Sequence, residues 1–155
     1  MTIIVVRPVT AADNEFCFQL HKAAMGDYVR AIWGWNEHAQ REYHRQGFLP
    51  NQWQIITADG EDIGALSVQY HPSEIYLGRI EVLPQHQSHG VGSQILRDLL
   101  DQAAARGQSV VLDVLTVNHR AQALYQRLGF VEITRHGPGQ IRIRMKATPS
   151  STHKP

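Results

Sequence analysis

The chain has 155 residues, with 15 Lys and Arg side chains against 14 Asp and Glu, and 43% of its residues are hydrophobic. This composition is typical of one globular domain, because two independent domains would each have fewer than about 80 residues, too few for a stable core without disulfides or metal. The near-neutral charge gives no reason to expect nucleic acid as a partner, since nucleic-acid-binding proteins usually carry a strongly basic surface.

Apolar runs in this sequence are short. The longest uninterrupted run has four residues, Ile3 to Val6, whereas a helix that spans a bilayer needs about 18 or more. The N-terminus has no basic segment ahead of a longer apolar stretch, so it does not resemble a secretory signal, and we expect a cytoplasmic protein that does not enter a membrane. Cys17 is the only cysteine, which excludes an intrachain disulfide and is typical of a small buried residue.

The N-terminal third predicts one strand and two helices. The β-branched run 3–6 predicts a strand that Pro8 ends, and Thr10 is a suitable N-cap for the helical pattern that follows. Apolar residues recur at spacings of three and four in that pattern until it loosens around Gly26. A second helix is predicted over residues 36–45.

The middle of the chain predicts three consecutive strands. Asp59-Gly60 lies between two β-forming segments, 53–57 and 63–70, and Asp-Gly in this context is a strong hairpin signal. Residues 75–83 continue the meander. Pro84 ends it, because proline has no N–H to donate to a neighbouring strand.

The remainder of the sequence alternates helix with strand. Apolar stripes at helical spacing predict one helix from Gly90 to just before Gly107 and a second from Asn118 to Gly129. Short apolar runs predict strands at 110–115, 131–135 and 141–145.

The order of these elements predicts an α/β fold. Helices that connect strands on both sides of a mixed sheet indicate a three-layer sandwich. Residues 147–155 are polar and rich in Pro, Ser and Thr, so we expect a disordered tail after a single domain of residues 1–146.

A glycine-rich segment, Gln87-Ser88-His89-Gly90-Val91-Gly92, lies between the strand ended by Pro84 and the next helix. Glycine lets the backbone approach a ligand, and the N–H groups at a helix start suit a pyrophosphate. A dinucleotide fingerprint needs a third glycine where Ile95 stands, and a Walker A loop needs a lysine that is absent nearby. The segment therefore predicts a phosphate cradle of another kind, with a plain glycine-rich turn as the alternative.

Two segments resemble signatures of the GNAT superfamily of acetyl-CoA-dependent N-acetyltransferases. Val82-Leu83-Pro84 followed by QSHGVG resembles its pyrophosphate signature, Gln/Arg-x-x-Gly-x-Gly/Ala after a strand. Residues 118–130, NHRAQALYQRLGF, resemble its NxRAxxLYxxLGF helix. The close resemblance covers residues 75 to 133, whereas residues 1–74 agree only in the order of elements.

The resemblance implies a GNAT-like three-layer αβα sandwich, with a mixed, mostly antiparallel sheet splayed between its fourth and fifth strands. It implies acetyl-CoA as co-substrate. The residues implied to bind it are Val82, Gln87, Ser88, His89, Gly90, Val91, Gly92, Ser93, Asn118 and Tyr125. Within this set, Val82 would pair its backbone with the pantetheine arm and offer an N–H to the thioester carbonyl, and Asn118 would cap its helix and touch pantetheine.

The resemblance also implies catalytic roles for two residues. Tyr125 would be the acid that protonates the departing thiolate, although its position on an apolar helix face is also typical of a core tyrosine. Glu81, beside Val82, is the first candidate for the general base. The alternatives are an ion pair of Glu81 with Arg79 on the same strand face, or a base supplied by Asp113 or a water chain.

The aromatic segment 28–47 fits no general signature of the family, and we expect it to select the acceptor. The candidate substrate-binding residues are Tyr28, Trp33, Trp35 and Glu37. Aromatic faces attract ammonium groups and a carboxylate would orient them. The alternative is that Ile32 and Trp35 pack the helices onto the sheet.

We therefore expect an N-acetyltransferase that moves an acetyl group from acetyl-CoA to a primary amine of a small molecule, by direct attack in a ternary complex. One alternative is acetylation of a protein N-terminus or lysine, and an alternative of another class is a non-catalytic CoA-binding sensor. His86 and His89 have no third ligand at a fitting spacing, so we expect no metal. A homodimer is left open.

Overall fold

In the computed structural model of this protein, residues 2–149 are described. The strands within them are β1 Ile4–Pro8, β2 Trp53–Ala58, β3 Glu61–Tyr70, β4 Glu74–Val82, β5 Ser109–Leu115, β6 Val131–His136 and β7 Arg142–Ala147. The α-helices within them are α1 Asn14–Trp33, α2 Glu37–Gly47, α3 Val91–Ala105 and α4 His119–Arg127.

The strands form one mixed sheet in the order β1-β2-β3-β4-β5-β7-β6. β4 and β5 are parallel over four residue pairs, from Glu74–Ser109 to Leu77–Leu112, and the other neighbouring strands are antiparallel. Both strands continue past the last pair, β4 to Val82 and β5 to Leu115, and the splay expected between them stays a prediction. The predicted α/β class and mixed, mostly antiparallel sheet are confirmed.

Contacts along the chain define two compact units that share β3 and β4. The first unit contains the chain up to residue 67 together with residues 79–92, and the second contains residues 68–78 and the chain from residue 93 onward. Each unit is built from two separate segments, so no single cut in the sequence would separate them.

Helix α1 of the first unit is longer than its sequence pattern predicts. It continues through Gly26 to Trp33, where the pattern suggested a break. Glycine costs a helix about 1 kcal/mol, and burial of the apolar face of α1 outweighs that cost. The core on this face consists of Val9, Cys17, Leu20, Phe48, Trp53, Ile55 and Ala65.

Helix α2 begins close to its predicted start because Asn36 caps it. The side-chain oxygen of Asn36 accepts a hydrogen bond from the Ala39 N–H at 2.8 Å, which satisfies one of the N–H groups without a partner inside the helix. The helix then ends at Gly47, two residues after the predicted end at Arg45.

The end of α4 in the second unit is positioned by a short turn. Gly129 follows the helix with a φ of 98°, a left-handed conformation that glycine adopts without steric cost. The turn brings the Phe130 ring to 5.7 Å from the Tyr125 ring, edge to face. Phe130 thus packs on the last turn of α4.

The last strand extends slightly further than the sequence analysis placed it. Ala147, assigned above to the tail, ends β7, pairs with Val110 of β5 and is buried. Residues 150–155 of the predicted tail lie outside the described residues. Over residues 2–149, no helix is both long enough and apolar enough to cross a bilayer.

Candidate active site

The glycine-rich loop follows β4 and leads directly into α3. Ser88 and Gly90 have φ values of 67° and 79°, and this left-handed region is costly for a serine. An ideal Cβ built on Gly90 has no heavy atom within 4 Å, so space is open beside the backbone at the helix start. The strained backbone, the open space and the first N–H groups of the helix fit a bound pyrophosphate.

Val82, at the end of β4, has its backbone polar groups directed away from β3. The next residue, Leu83, donates its N–H to the Ile63 carbonyl of β3 at 2.8 Å. Successive residues of a strand direct their backbone groups to opposite sides, so the N–H and C=O of Val82 point the other way. The side chain of Gln87 donates to that carbonyl at 2.9 Å, which ties the loop to the strand end.

Gly64 of β3 lies against the end of β4. An ideal Cβ at this glycine would be 2.4 Å from the carbonyl oxygen of Glu81 and 3.3 Å from Cα of Val82. Any side chain here would displace the backbone that carries these two residues. Gly64 was not among the residues predicted from the sequence, although a glycine inside a strand often marks such a close backbone approach.

The carboxylate of Glu81 is buried, with 5% of the side chain exposed. Its Oε2 lies 2.6 Å from Nδ1 of His21 on α1. Its Oε1 lies 3.9 Å from Nε of Arg79, and within residues 2–149 no donor forms a hydrogen bond with that oxygen. Burial by itself raises the pKa of Glu81, but the Arg79 charge and the His21 hydrogen bond outweigh it and hold the pKa below its ordinary value.

The ion pair that the sequence suggested between Arg79 and Glu81 is therefore a loose one. A separation of 3.9 Å is too long for a hydrogen bond, and the Arg79 guanidinium also lies 5.2 Å from the centre of the Trp53 ring. The closest partner of Glu81 is His21, which the sequence analysis left unassigned. The two residues are 60 positions apart, so no local pattern pointed to their contact.

Asp113 of β5, the alternative base, has both carboxylate oxygens occupied. Arg144 donates to it from Nε at 3.0 Å and from Nη2 at 2.9 Å, Nε2 of His136 lies at 2.9 Å, and the Tyr76 hydroxyl donates at 3.1 Å. Burial raises the pKa of Asp113, but the bonds from Arg144 and His136 outweigh it and lower the pKa to about 2. Such a weakly basic, fully bonded carboxylate argues against Asp113 as the base.

Helix α4 carries two of the residues that the resemblance singled out. Asn118 caps the helix, with its side-chain oxygen accepting from the Ala121 N–H at 3.2 Å, so its predicted capping role is confirmed. Tyr125 is buried against Phe130. The role of Tyr125 as an acid stays a prediction, because burial is common to a catalytic and a core tyrosine.

The acceptor segment is held by a polar network around Glu37. Trp35 Nε1 and Lys22 Nζ both donate to Glu37 Oε1 at 2.9 Å, and Nε of Arg41 donates to Oε2 at 3.3 Å. Two cations therefore already neutralise Glu37, and this geometry does not favour its use as the group that orients an ammonium ion.

The aromatic members of this segment differ in their surroundings. Trp33, the last residue of α1, is 52% exposed, and Tyr28 is partly buried. Trp35 is partly buried, and its ring lies 6.5 Å from the ring of His21. Trp35 is thus the aromatic side chain that adjoins the His21–Glu81 pair. Among the described residues, no group of three or more His, Cys, Asp or Glu is arranged to hold a metal ion.

Sequence comparisons agree with the two motifs. Residues 17–130 match the profile of the Acetyltransferase (GNAT) family. The chain is 44% identical over 62 residues to N-alpha-acetyltransferase RimI of Mycobacterium tuberculosis, covering 40% of this chain and 38% of that protein. It is 34% identical over 92 residues to thialysine N-epsilon-acetyltransferase of Mus musculus, covering 52% of this chain and 54% of that protein.

A third relative is the ribosomal protein bS18-alanine N-acetyltransferase of Escherichia coli, which is 35% identical over 80 residues. This alignment covers 51% of the chain and 54% of the relative. The chain therefore matches about half, or less, of the length of these three curated relatives.

Two solved structures share the fold over nearly their whole length. The PaiA N-acetyltransferase of Thermoplasma acidophilum, solved in complex with coenzyme A, has a TM-score of 0.75 at 15% identity and covers 94% of this chain and 99% of that one. The ribosomal-protein-S18-alanine N-acetyltransferase of Escherichia coli has a TM-score of 0.70 at 22% identity and covers 96% and 95%. At these identities the likeness shows the fold alone.

Proposed function

Because this chain belongs to the Acetyltransferase (GNAT) family, we propose that it transfers an acetyl group from acetyl-CoA to a primary amine by direct attack in a ternary complex. The observation that carries this proposal is the loop 87–92. Its two left-handed residues leave open space at the start of α3, at the position where the family signature places the pyrophosphate.

The proposed roles of the donor-side residues follow from their backbone and side-chain chemistry. The amides of residues 87–92, with Ser93, bind the pyrophosphate, and Asn118 contacts the pantetheine arm. The N–H of Val82 donates to the thioester carbonyl, on whose oxygen negative charge develops in the transition state. Tyr125 protonates the departing thiolate, since tyrosine and thiol have ordinary pKa values of about 10 and 8.5 and the proton moves late.

We assign removal of the acceptor's proton to Glu81 together with His21, whose imidazole contacts its carboxylate. An amine is protonated near neutral pH and must lose a proton before its nitrogen attacks. Of the two candidate carboxylates, Asp113 is held by Arg144, whereas Glu81 keeps one oxygen that no donor in residues 2–149 bonds. This difference supports Glu81 as the carboxylate on the base side of the reaction.

For the acceptor, we propose a small-molecule primary amine. The aromatic segment suits an amine with an apolar body, and one relative is named for the ε-amine of thialysine. A second candidate, the α-amine of a protein N-terminus, is favoured by the relatives named for N-alpha acetylation and for the alanine of a ribosomal protein.

The cofactor assignment is tested by two matched glycine substitutions. Gly90→Val fills the open space in the loop, and we expect acetyl-CoA binding, measured by calorimetry, to be lost. Gly107→Val is the control, because Gly107 has a similar left-handed φ of 65° and equally open space but follows the far end of α3. Both variants carry similar backbone strain, so equal loss of binding in the two would contradict the cradle.

The acceptor class is tested by thiol release from acetyl-CoA in the presence of single amines. The panel contains lysine, thialysine, polyamines and peptides with free N-termini, and mass spectrometry locates the added acetyl group. Turnover with free amines and none with peptides supports the small-molecule proposal, and the reverse supports the protein N-terminus. Binding of acetyl-CoA without turnover on any amine would contradict the transferase and favour the sensor alternative.

A further inference from the structure

The imidazole of His21 forms the closest contact to the carboxylate of Glu81. Nδ1 of His21 lies 2.6 Å from Oε2 of Glu81, and the two side chains are 16% and 5% exposed. Helix α1 carries His21 and β4 carries Glu81. The motifs that bind acetyl-CoA do not include His21, so its contact with Glu81 needs a separate explanation.

We propose that His21 is the catalytic residue that takes the proton from the acceptor's ammonium group, with Glu81 as its positioning partner. The inference rests on the acetyl transfer proposed above. It adds the identity of the atom that accepts the proton, Nε2 of His21.

The hydrogen bond to Glu81 determines which ring nitrogen is basic. An ionised carboxylate only accepts hydrogen bonds, so Nδ1 of His21 carries the proton that it donates to Oε2. In the neutral ring, Nε2 then has the lone pair and accepts a proton. The carboxylate also stabilises the imidazolium that forms, because opposite charges a hydrogen bond apart attract strongly in a buried site.

Accessibility favours the ring over the carboxylate as the atom that meets the amine. Oε1 of Glu81 is buried and Oε2 is already bonded to His21. The His21 side chain is about three times as exposed as that of Glu81. Its ring also adjoins Trp35, at 6.5 Å, which belongs to the segment assigned to the acceptor.

The other titratable groups around the pair are not suited to the same task. Cys17 of α1 has its thiol pKa raised to about 12 by burial, and burial lowers the pKa of His44 on α2, so both stay neutral. Arg79 of β4 lies 3.9 Å from Glu81, and Lys22 of α1 is paired with Glu37. Histidine is the side chain type whose charge ordinarily changes between pH 5 and 8.

The step balances in atoms and charge. A proton moves from the ammonium nitrogen to Nε2 of His21 and leaves a neutral amine. A bond then forms between that nitrogen and the acetyl carbon while the C–S bond breaks, and its electron pair goes to sulfur, which takes a proton from the general acid. The amide nitrogen loses its extra proton, which restores the acid, and the imidazolium returns its proton to solvent. One proton is released for each acetyl group transferred.

The variant His21→Asn tests the proposal directly. An asparagine amide can replace Nδ1–H as donor to Glu81, but it has no basic nitrogen. We expect kcat to fall about 10²-fold or more, the scale of general-base catalysis, with the melting temperature and acetyl-CoA affinity near those of the unsubstituted chain. The control is His71→Asn, because His71 is an exposed histidine between β3 and β4, outside the segment assigned to the acceptor, and it should leave kcat unchanged.

Three further measurements separate proton transfer from a structural role. Added imidazole should restore part of the rate of His21→Ala, whether or not His21→Asn folds well. With a weakly basic acceptor amine, which is mostly unprotonated at the assay pH, His21→Asn should lose less rate than with a strongly basic one. The double variant with Glu81→Gln should lose little more than the more damaging single change, because residues that act as a unit are not additive.

The outcomes distinguish this inference from the proposed function. If the unsubstituted chain transfers acetyl groups and His21→Asn does so at the same rate, His21 is not the base, and the transferase proposal stands. Equal rate losses for both amine types, with no rescue by imidazole, would likewise overturn the base role. Failure of the unsubstituted chain to transfer to any amine would overturn the transferase proposal itself and this inference with it.

Discussion

Glu81 on β4 and Asp113 on β5 are both carboxylates in short apolar strands, and both are candidates for the base. Their surroundings differ. Within residues 2–149, Asp113 accepts hydrogen bonds from Arg144, His136 and Tyr76, whereas Oε2 of Glu81 is bonded to His21 and Oε1 has no hydrogen-bond partner. A fully bonded carboxylate is a structural anchor, while a buried carboxylate with an unbonded oxygen is unusual enough to indicate a functional role.

The comparison shows that the chemistry of an acidic residue is decided by its donors. Arg144 binds Asp113 from two nitrogens, a geometry that holds both charges in place. The donor to Glu81 is an imidazole, which itself can gain or lose a proton. Asp113 also has an imidazole partner, His136, but Arg144 binds both of its oxygens, whereas one oxygen of Glu81 has no hydrogen-bond donor within residues 2–149.

The largest expected effect separates the two carboxylates by turnover. Glu81→Gln should lower kcat about 10²- to 10⁴-fold, most strongly at low pH, where the amine most needs help to lose its proton. Asp113→Asn should stay within a few fold of the unsubstituted chain. Steady-state thiol release across a pH series measures both. An equal loss in the two variants, or a pH profile for Glu81→Gln that matches the unsubstituted chain, would contradict the comparison.

The acid side of the reaction provides a reference for the base side. Tyr125→Phe removes the hydroxyl but keeps the ring that packs on Phe130, so we expect kcat to fall about 10²-fold while acetyl-CoA affinity changes by no more than a few fold. Calorimetry and steady-state kinetics on the same preparation give both numbers. If acetyl-CoA affinity and kcat fall together, the Tyr125 hydroxyl has a structural role, as we propose for the Asp113 carboxylate.

The anchoring role of Asp113 predicts a loss of stability. Asp113→Asn removes charged hydrogen bonds to Arg144 and should lower the free energy of unfolding by about 2 kcal/mol near neutral pH. The pKa of Asp113 is lowered from 3.8 to about 2 in the folded state. Its stabilisation is therefore complete above about pH 4 and is lost as the pH falls through about 2.

Urea unfolding of the two proteins at a series of pH values measures this difference. The gap between the unsubstituted chain and Asp113→Asn should be constant above about pH 4 and should narrow toward pH 2. Glu132→Gln is the matched control, because Glu132 on β6 pairs with Arg135 on the exposed surface, and it should change stability much less. A gap that is independent of pH would mean that the ionised form of Asp113 does not stabilise the fold.

The smallest expected effect concerns the acceptor. Trp35→Ala should raise the acceptor's KM about 2- to 5-fold, the range for an aromatic–ammonium contact at a partly exposed site, because Trp35 adjoins His21. Trp33→Ala should have a smaller effect, since Trp33 is half exposed at the end of α1. Glu37→Gln should act through Trp35 and Lys22, which Glu37 holds in place.

Melting temperature and acetyl-CoA affinity, measured on the same three variants, are the controls for this prediction. Large-to-small changes in a core typically cost several kcal/mol. A large drop in melting temperature with loss of both ligands would therefore assign the tryptophans to packing and would remove them from the acceptor site.

Local sequence was sufficient for the features that depend on neighbouring residues. The cap of Asn118, the turn at Asp59-Gly60 and the helix end at Gly129 all agree with the structure. Each depends on hydrogen bonds or backbone conformation within a few residues, so the information is contained in the local pattern.

Tertiary packing overrode the local pattern where the two conflicted. The apolar pattern loosens around Gly26, but α1 continues to Trp33 with Val29 buried beyond the glycine, and such burial offsets the helical cost of glycine. For Gly64, only the structure shows which backbone it contacts, that of Glu81.

The sequence by itself determined the family, and it predicted the phosphate cradle and the two candidate carboxylates, because motifs and strand periodicity depend on consecutive residues. Only the tertiary structure decided their partners. His21 is 60 positions from Glu81, and His136 and Arg144 are 23 and 31 positions from Asp113. These contacts depend on how α1 meets β4 and on the pairing of β7 with both β5 and β6, and no spacing within the chain encodes contacts between side chains so far apart.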